Sequence, residues 1–259
     1  MIKGRGLSPG TASAEAIVCD QYISPLGEIK EDGHIMSGPC EGTEISGKIF
    51  IFRGGRGSTV GSYVLLQLRG SGKAPAGIIN EVGEQMIVTG AIISDLPMVD
   101  SVPIDIFLTG DSVTINGSTG DVKIENVQER KVATAYVVNG DRLLLMKRSE
   151  SAPSYAGMFG GVSGYVEAKE NPVETAIREV AEETSINNLE IMKVGKEVQV
   201  RYGKILFRIT PVLLKTDSKD VKLNYENSSY SWVTKKELQD INTVPKFKEV
   251  YEALLKANP

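Results

Sequence analysis

Three glutamates, Glu179, Glu182 and Glu183, fall in the single run Arg178-Glu179-Val180-Ala181-Glu182-Glu183. On a helix their spacing gathers the carboxylates on one side, while Val173, Ile177, Val180, Ala181 and Thr184 recur as an apolar stripe on the other. Like charges so spaced destabilise a helix by roughly 0.2–0.5 kcal/mol per pair. No Lys or Arg follows within the next turn to relieve them. A divalent cation would, and Mg²⁺ or Mn²⁺ prefers oxygen ligands shared with substrate phosphates. Carboxylates beside such an ion orient an attacking water or accept its proton. A second cluster is Gly54-Gly55-Arg56-Gly57-Ser58, where an apolar run passes through glycines into a helical pattern. Glycines let the backbone approach a ligand, and amides at a helix start favour phosphate or carboxylate. Neither the P-loop ending nor the dinucleotide spacing is present. Ser58 reads either as a helix cap or as a reactive hydroxyl.

The elements that would carry these residues are legible nearby. Asn171 caps the acidic helix, Pro172 suits its first turn, and Glu174 completes a capping box. Residues 1 to about 125 alternate short apolar runs with glycine turns, as in KIFIF, AGIIN and GAIISDLPMVD. The polar run NVQERK at 126–131 marks a joint. Beyond it, Asn139-Gly140-Asp141 between VATAYVV and RLLLMKRS signals a hairpin. Strands are expected at EVQVRY, ILFRITPVLLK and YSWVT, then a closing helix at KFKEVYEALLKA, and no short repeat recurs. In the helix after the glycine loop, Val60, Val64 and Leu68 form the expected packing stripe, with Ser62 and Tyr63 packing or capping.

Composition narrows the functional classes. At 259 residues and 41% hydrophobic content, the chain has room for one large core or two ordinary ones, and the patterning indicates two. A net charge of −4 gives no footprint for nucleic acid, and no apolar run is long enough to span a membrane. The start lacks the apolar core of a signal peptide, so a cytoplasmic location is expected. One histidine, His34, in a surface turn, leaves little material for Ser-His-Asp or zinc-histidine chemistry. Cys19 and Cys40, widely separated, suggest no disulfide framework and cannot alone build a metal cluster.

Gly164, five residues, Glu170, seven residues, and then the Arg178–Glu183 run resemble the Nudix box, with Ser185 in place of its late glycine. The ordered pieces RSESAPSYAGMFGGVSGYVE, YSWV and TVPKFKEV extend the resemblance over 131–259. It implies a Nudix α/β/α sandwich that hydrolyses a substituted diphosphate. Glu179, Glu182 and Glu183 would hold Mg or Mn, Glu182 would be catalytic, and Gly164, Glu170 and Arg178 would brace the loop. Glu226 is a further ligand, a base or a surface charge, and Arg148, Arg201 and Tyr202 are contacts by location. Isopentenyl diphosphate isomerase shares the fold but needs a cysteine and histidines absent from 131–259.

The first half, 1–126, is similar to the small subunit of the aconitase X family through GRGLSPGTASAEAIV, ISPLGEI, ISGKIFIFRGGRGSTVGSYVL, KAPAGIIN and GAIISDLPMVD, in that order. This implies a swivelling β/β/α domain working with a separate large subunit that carries an iron–sulfur cluster, in elimination of water from 5-phosphomevalonate. Ser58 would accept the proton, and Arg56, Gly57 and Arg5 would bind substrate, with Lys3 adding charge. Asp95, Pro97 and Asp100 stay unassigned. The expected protein is a two-domain α/β fusion of dehydratase small subunit and Nudix hydrolase. The alternatives are a Nudix hydrolase with a docking or regulatory first half, or a dehydratase subunit whose Nudix half senses a phosphometabolite.

Overall fold

The computed structural model describes residues 1–256, in two compact units, one from Met1 to Val127 and the other from Gln128 onward. The first is built from β1 (Ile2–Lys3), β2 (Arg5–Ser8), β3 (Thr11–Ile23), α1 (Pro25–Glu28), β4 (Ile49–Gly55), α2 (Gly61–Gly70), β5 (Gly77–Asn80), α3 (Gln85–Ile93), β6 (Met98–Asp100), β7 (Ser112–Asn116) and β8 (Asp121–Ile124). Its sheet order is β1-β8-β7-β3-β4-β5-β6-β2. The apolar runs of β4 and β5 are buried along their length, as expected of parallel strands covered on both faces. β3 changes partner midway. Thr11–Glu15 pair antiparallel with β7, whereas Ala16–Ile23 pair parallel with β4. β3, β4, β5 and β6 therefore run parallel and end together.

One expectation holds only in part, since Leu68 is buried and Val64 packs on the core but Val60 does not, and one fails. Helix α2 buries Ser62, Leu65 and Leu68, leaving Val60 51% and Tyr63 64% exposed. The cause is Gly90 of α3, whose missing side chain admits the backbone of Ser62 and so turns that face inward. The two cysteines are bonded, Cys19 to Cys40, with Cα atoms 5.8 Å apart. The segment between α1 and β4 folds back over β3, held by buried Ile29, Ile35 and Ile45 in the same core as Cys19, and this delivers Cys40 to its partner. Sequence separation carries no sign of that return.

The second unit comprises β9 (Gln128–Asn139), β10 (Arg142–Arg148), β11 (Phe159–Gly160), β12 (Val162–Tyr165), α4 (Pro172–Thr184), β13 (Glu190–Val194), β14 (Val198–Tyr202), β15 (Ile205–Lys215), β16 (Asn227–Thr234), α5 (Lys235–Leu238) and α6 (Phe247–Lys256). β9 and β15 pair in parallel along the centre, from Gln128 opposite Ile205 to Val138 opposite Lys215. The polar run that reads as a joint is thus strand from Gln128 onward, because β15 completes its ladder. Gly140, at φ +61°, closes the β9–β10 hairpin. Ala133, Ala135 and Val137 face α4 through Ala176 and Val180. Tyr136 and Val138 face α6 through Phe247, Tyr251 and Leu254. Helix α4 carries the expected capping box, with Asn171 Oδ1 accepting from the amides of Val173 (2.9 Å) and Glu174 (3.0 Å). Ser185 ends it in the left-handed conformation at φ 59°, taking the turn a glycine would.

Candidate functional sites

A cavity of about 500 Å³ opens in the second unit, and Glu179, Glu183, Glu226, Arg148 and Asn227 line one end of it. Helix α4 is placed by its cap and by Ala176 and Val180, and this turns Glu183 inward to 4% exposure. Asn227 Nδ2 donates to Glu183 Oε2 at 2.6 Å. Burial nevertheless pushes the Glu183 carboxyl up to about 7, with Glu226 and Glu179 adding repulsion that the Asn227 bond and Arg148 only partly offset. Burial also raises Glu179, against the pull of Arg178, and the neighbouring Glu182 and Glu226 raise it further.

The glutamates do not form one open patch. Glu182 has a side chain 57% exposed and is absent from the cavity lining. Arg178 Nη1 donates to Glu179 (2.8 Å) and to Glu182 (3.2 Å), so the basic partner precedes the cluster where the sequence shows none following it. The same guanidinium grips Glu170 through Nε (2.8 Å) and Nη2 (3.1 Å), while Thr175 Oγ1 adds 2.8 Å. These donors hold the Glu170 carboxyl down at about 2, the Arg178 bond contributing most. Gly164, on β12, lies against the Glu179 carboxylate, where a side chain would collide. Among the described residues, no three acidic, histidine or cysteine groups converge at metal-ligating distance. The donor set still suits a hard divalent ion, being oxygen-only, partly buried and mutually repelling.

In the first unit the parallel strands end on one edge, where ligands gather in open α/β sheets. There β4 leads into Arg56, Gly57 at φ +99° and Ser58. Ser58 is exposed and its Oγ accepts from the Val60 amide at 3.3 Å. Arg56 does not turn to Ser58. Its Nη2 bonds Glu28 Oε1 at 2.7 Å, and buried Glu28 also accepts from the Ser24 amide (2.6 Å) and the Ser37 hydroxyl (3.2 Å). Burial opposes ionisation of Glu28, but the Ser24, Arg56 and Ser37 donors outweigh it and keep its carboxyl below the ordinary range. Arg5 forms a two-pronged pair with Asp100 (3.0 and 2.6 Å), which also accepts from the Gly83 amide at 3.0 Å. Arg5 lies on β2, three places from β4 in the sheet order. Glu28 and Asn227 were invisible in the sequence because their partners are distant in it. Asp100, left unassigned there, is the anchor of Arg5. Lys3 pairs with Asp121 at 2.8 Å, and His34 lies beside Asp32.

Residues 1–124 match the aconitase X swivel domain and residues 128–254 the NUDIX domain. The first half belongs to the aconitase X small-subunit family, and the second is a NUDIX domain. Over 127 residues it is 42% identical to the phosphomevalonate dehydratase small subunit of Methanocaldococcus jannaschii, covering 48% of this chain and 98% of that protein. Among solved structures, aconitase X of Thermococcus kodakaraensis in its holo-form is 42% identical, with a TM-score of 0.46 and coverage of 47% and 95%. The MutT protein of Methanosarcina mazei Go1 is 25% identical, with a TM-score of 0.44 and coverage of 50% and 95%. Among the described residues, no helix is long and apolar enough to cross a membrane.

Proposed function

We propose that the second unit hydrolyses a substituted diphosphate, and that the first serves as the small subunit of a phosphomevalonate dehydratase assembled with a separate large subunit. The carrying observation is the meeting of Glu179, Glu183, Glu226 and Arg148 at the end of one cavity. Glu179 and Glu183, with Glu226 facing them and Glu182 at the exposed rim on Arg178, would hold Mg²⁺ or Mn²⁺, which when bound polarises a phosphoryl oxygen and lowers the pKa of water. Arg148 neutralises developing phosphate charge, and a carboxylate of the cluster that the metal leaves free is placed to take the proton from the attacking water. Arg178 and Glu170 fix the turn of α4 that presents the carboxylates.

In the first unit, Ser58 would take the proton lost in eliminating water from 5-phosphomevalonate. Gly57 and the amides at the start of α2 favour the anionic oxygen, and Glu28 fixes Arg56 in the same turn. Arg5, fixed by Asp100, would meet a more distant group of the substrate. The two cysteine sulfurs are bonded to each other, so an iron–sulfur cluster would sit on the large subunit.

Both activities are tested in one preparation. The full chain, co-expressed with candidate large subunits, is assayed for phosphomevalonate dehydration and, with Mg²⁺, for hydrolysis of a diphosphate panel followed by its monophosphate products. Ser58→Ala should abolish the first and spare the second, and Glu183→Gln should do the reverse. A stable complex inactive in dehydration would refute the first assignment. Diphosphate hydrolysis unchanged by Glu183→Gln would refute the second.

A further inference from the structure

The cavity beside the glutamates has two chemically different ends, and diphosphate chemistry occupies only one. Away from Glu179, Glu183 and Arg148 the wall is made by Val132 of β9, Val198 and Val200 of β14, Phe207 and Ile209 of β15, and Val250 of α6. Four hydroxyls beside this wall are engaged within the protein. Tyr136 donates to the Phe247 carbonyl at 3.3 Å, Tyr155 to the Arg201 carbonyl at 3.1 Å, and Thr134 and Ser163 bond each other at 2.9 Å. A nucleobase set here would hold its hydrogen-bonding edges against carbon and give up bonds to water without replacing them. A hydrocarbon loses nothing by the exchange and gains from leaving water.

Access from α4 to this wall depends on the β9–β12 register. Gly164 stands opposite Ala133 on the α4 face, while Ser163 stands opposite Thr134 on the other. With no side chain at Gly164, the Glu179 carboxylate reaches the strand edge and joins a cavity whose apolar part lies on the α6 face. The volume, about 500 Å³, lies in the range of sites that enclose a whole small ligand.

We propose that this site takes the diphosphate ester of a hydrocarbon alcohol, with the diphosphate at the carboxylate and Arg148 end and the hydrocarbon along the β14–β15 wall. The proposal rests on the hydrolase reading above and names its substrate class. Water attacks the terminal phosphorus and the bridging P–O bond breaks. The products are the alkyl monophosphate and inorganic phosphate, and one proton is released to solvent through a carboxylate.

The test uses the full chain with Mg²⁺ and four probes: geranyl diphosphate, isopentenyl diphosphate, ADP-ribose and dGTP. Geranyl diphosphate should have a kcat/KM about tenfold or more above both nucleotides, and above isopentenyl diphosphate, whose shorter chain leaves wall uncovered. Val198→Asp and, separately, Val250→Asp should raise its KM about tenfold with circular dichroism unchanged. Faster turnover of a nucleotide, or indifference to both substitutions, overturns the proposal and leaves the hydrolase reading standing. If no probe is turned over, the hydrolase reading fails. Calorimetric titration then decides the wall alone, since tighter binding of ADP-ribose than of geranyl diphosphate overturns it.

Discussion

The carboxylate of Glu179 occupies the space that a side chain on Gly164 would fill, although one residue belongs to helix α4 and the other to strand β12. The glycine is required by this contact, since its φ is not in the left-handed region. Gly164→Ala should displace Glu179 and lower kcat for diphosphate hydrolysis about 10²-fold, as sub-ångström to ångström misplacement of a reacting group does. Steady-state kinetics beside an unchanged circular dichroism spectrum checks this.

Glu170 and Arg178 supply the pH dependence of the loop before α4. The carboxyl titrates at about 2 in the folded chain against an ordinary 4.5, because Arg178 and Thr175 bond its ionised form. A depressed carboxylate contributes stability that is present above its unfolded pKa and is lost as pH falls through the folded one. Wild type should therefore lose thermal stability between pH 4.5 and about 2 relative to Glu170→Gln. Parallel melting curves for the two proteins over that interval would refute the assignment.

How far the sequence disclosed this protein depends on the range of each contact. The capping box of α4 and the β9–β10 hairpin are local, and their residues state them directly. The glutamate helix was read with Glu183 on the open side, yet Glu183 follows Ala176 and Val180 at helical spacing and shares their buried face. A wheel turned by one residue would have placed it. Contacts that the fold alone assembles were beyond reach. Glu28 meets Arg56, Asn227 meets Glu183, and Cys19 meets Cys40 only after intervening segments return to the sheet. Val60 misled because the groove at Gly90, on another helix, decides which face of α2 is buried.

The Cys19–Cys40 bond closes a loop with a sequence separation of 21. Closing a loop of that size restricts the unfolded chain by about 3 kcal/mol. Cys40→Ser, which removes the half-buried partner and spares fully buried Cys19, should lower the unfolding free energy of the first unit by that order and abolish its sensitivity to reductant. Denaturant titrations with and without dithiothreitol make the comparison. Equal midpoints for oxidised wild type, reduced wild type and variant would show that the bond adds nothing.

Glu183 predicts the opposite pH slope from Glu170. Its carboxyl is pushed from 4.5 up to about 7, first by burial and then by Glu226 and Glu179. The folded protein therefore holds a proton that the unfolded chain releases at lower pH, and metal-free protein should lose stability as pH rises from 4.5 to about 7. The full difference is about 3 kcal/mol, and Glu183→Gln should flatten it. Divalent metal binds the ionised form, so Mg²⁺ should stabilise the wild type more above this interval than below it, displacing the proton as it binds. Melting curves of wild type and Glu183→Gln, each with EDTA and with Mg²⁺, separate the contributions. A metal effect independent of pH and unchanged in Glu183→Gln would mean that the ion binds elsewhere.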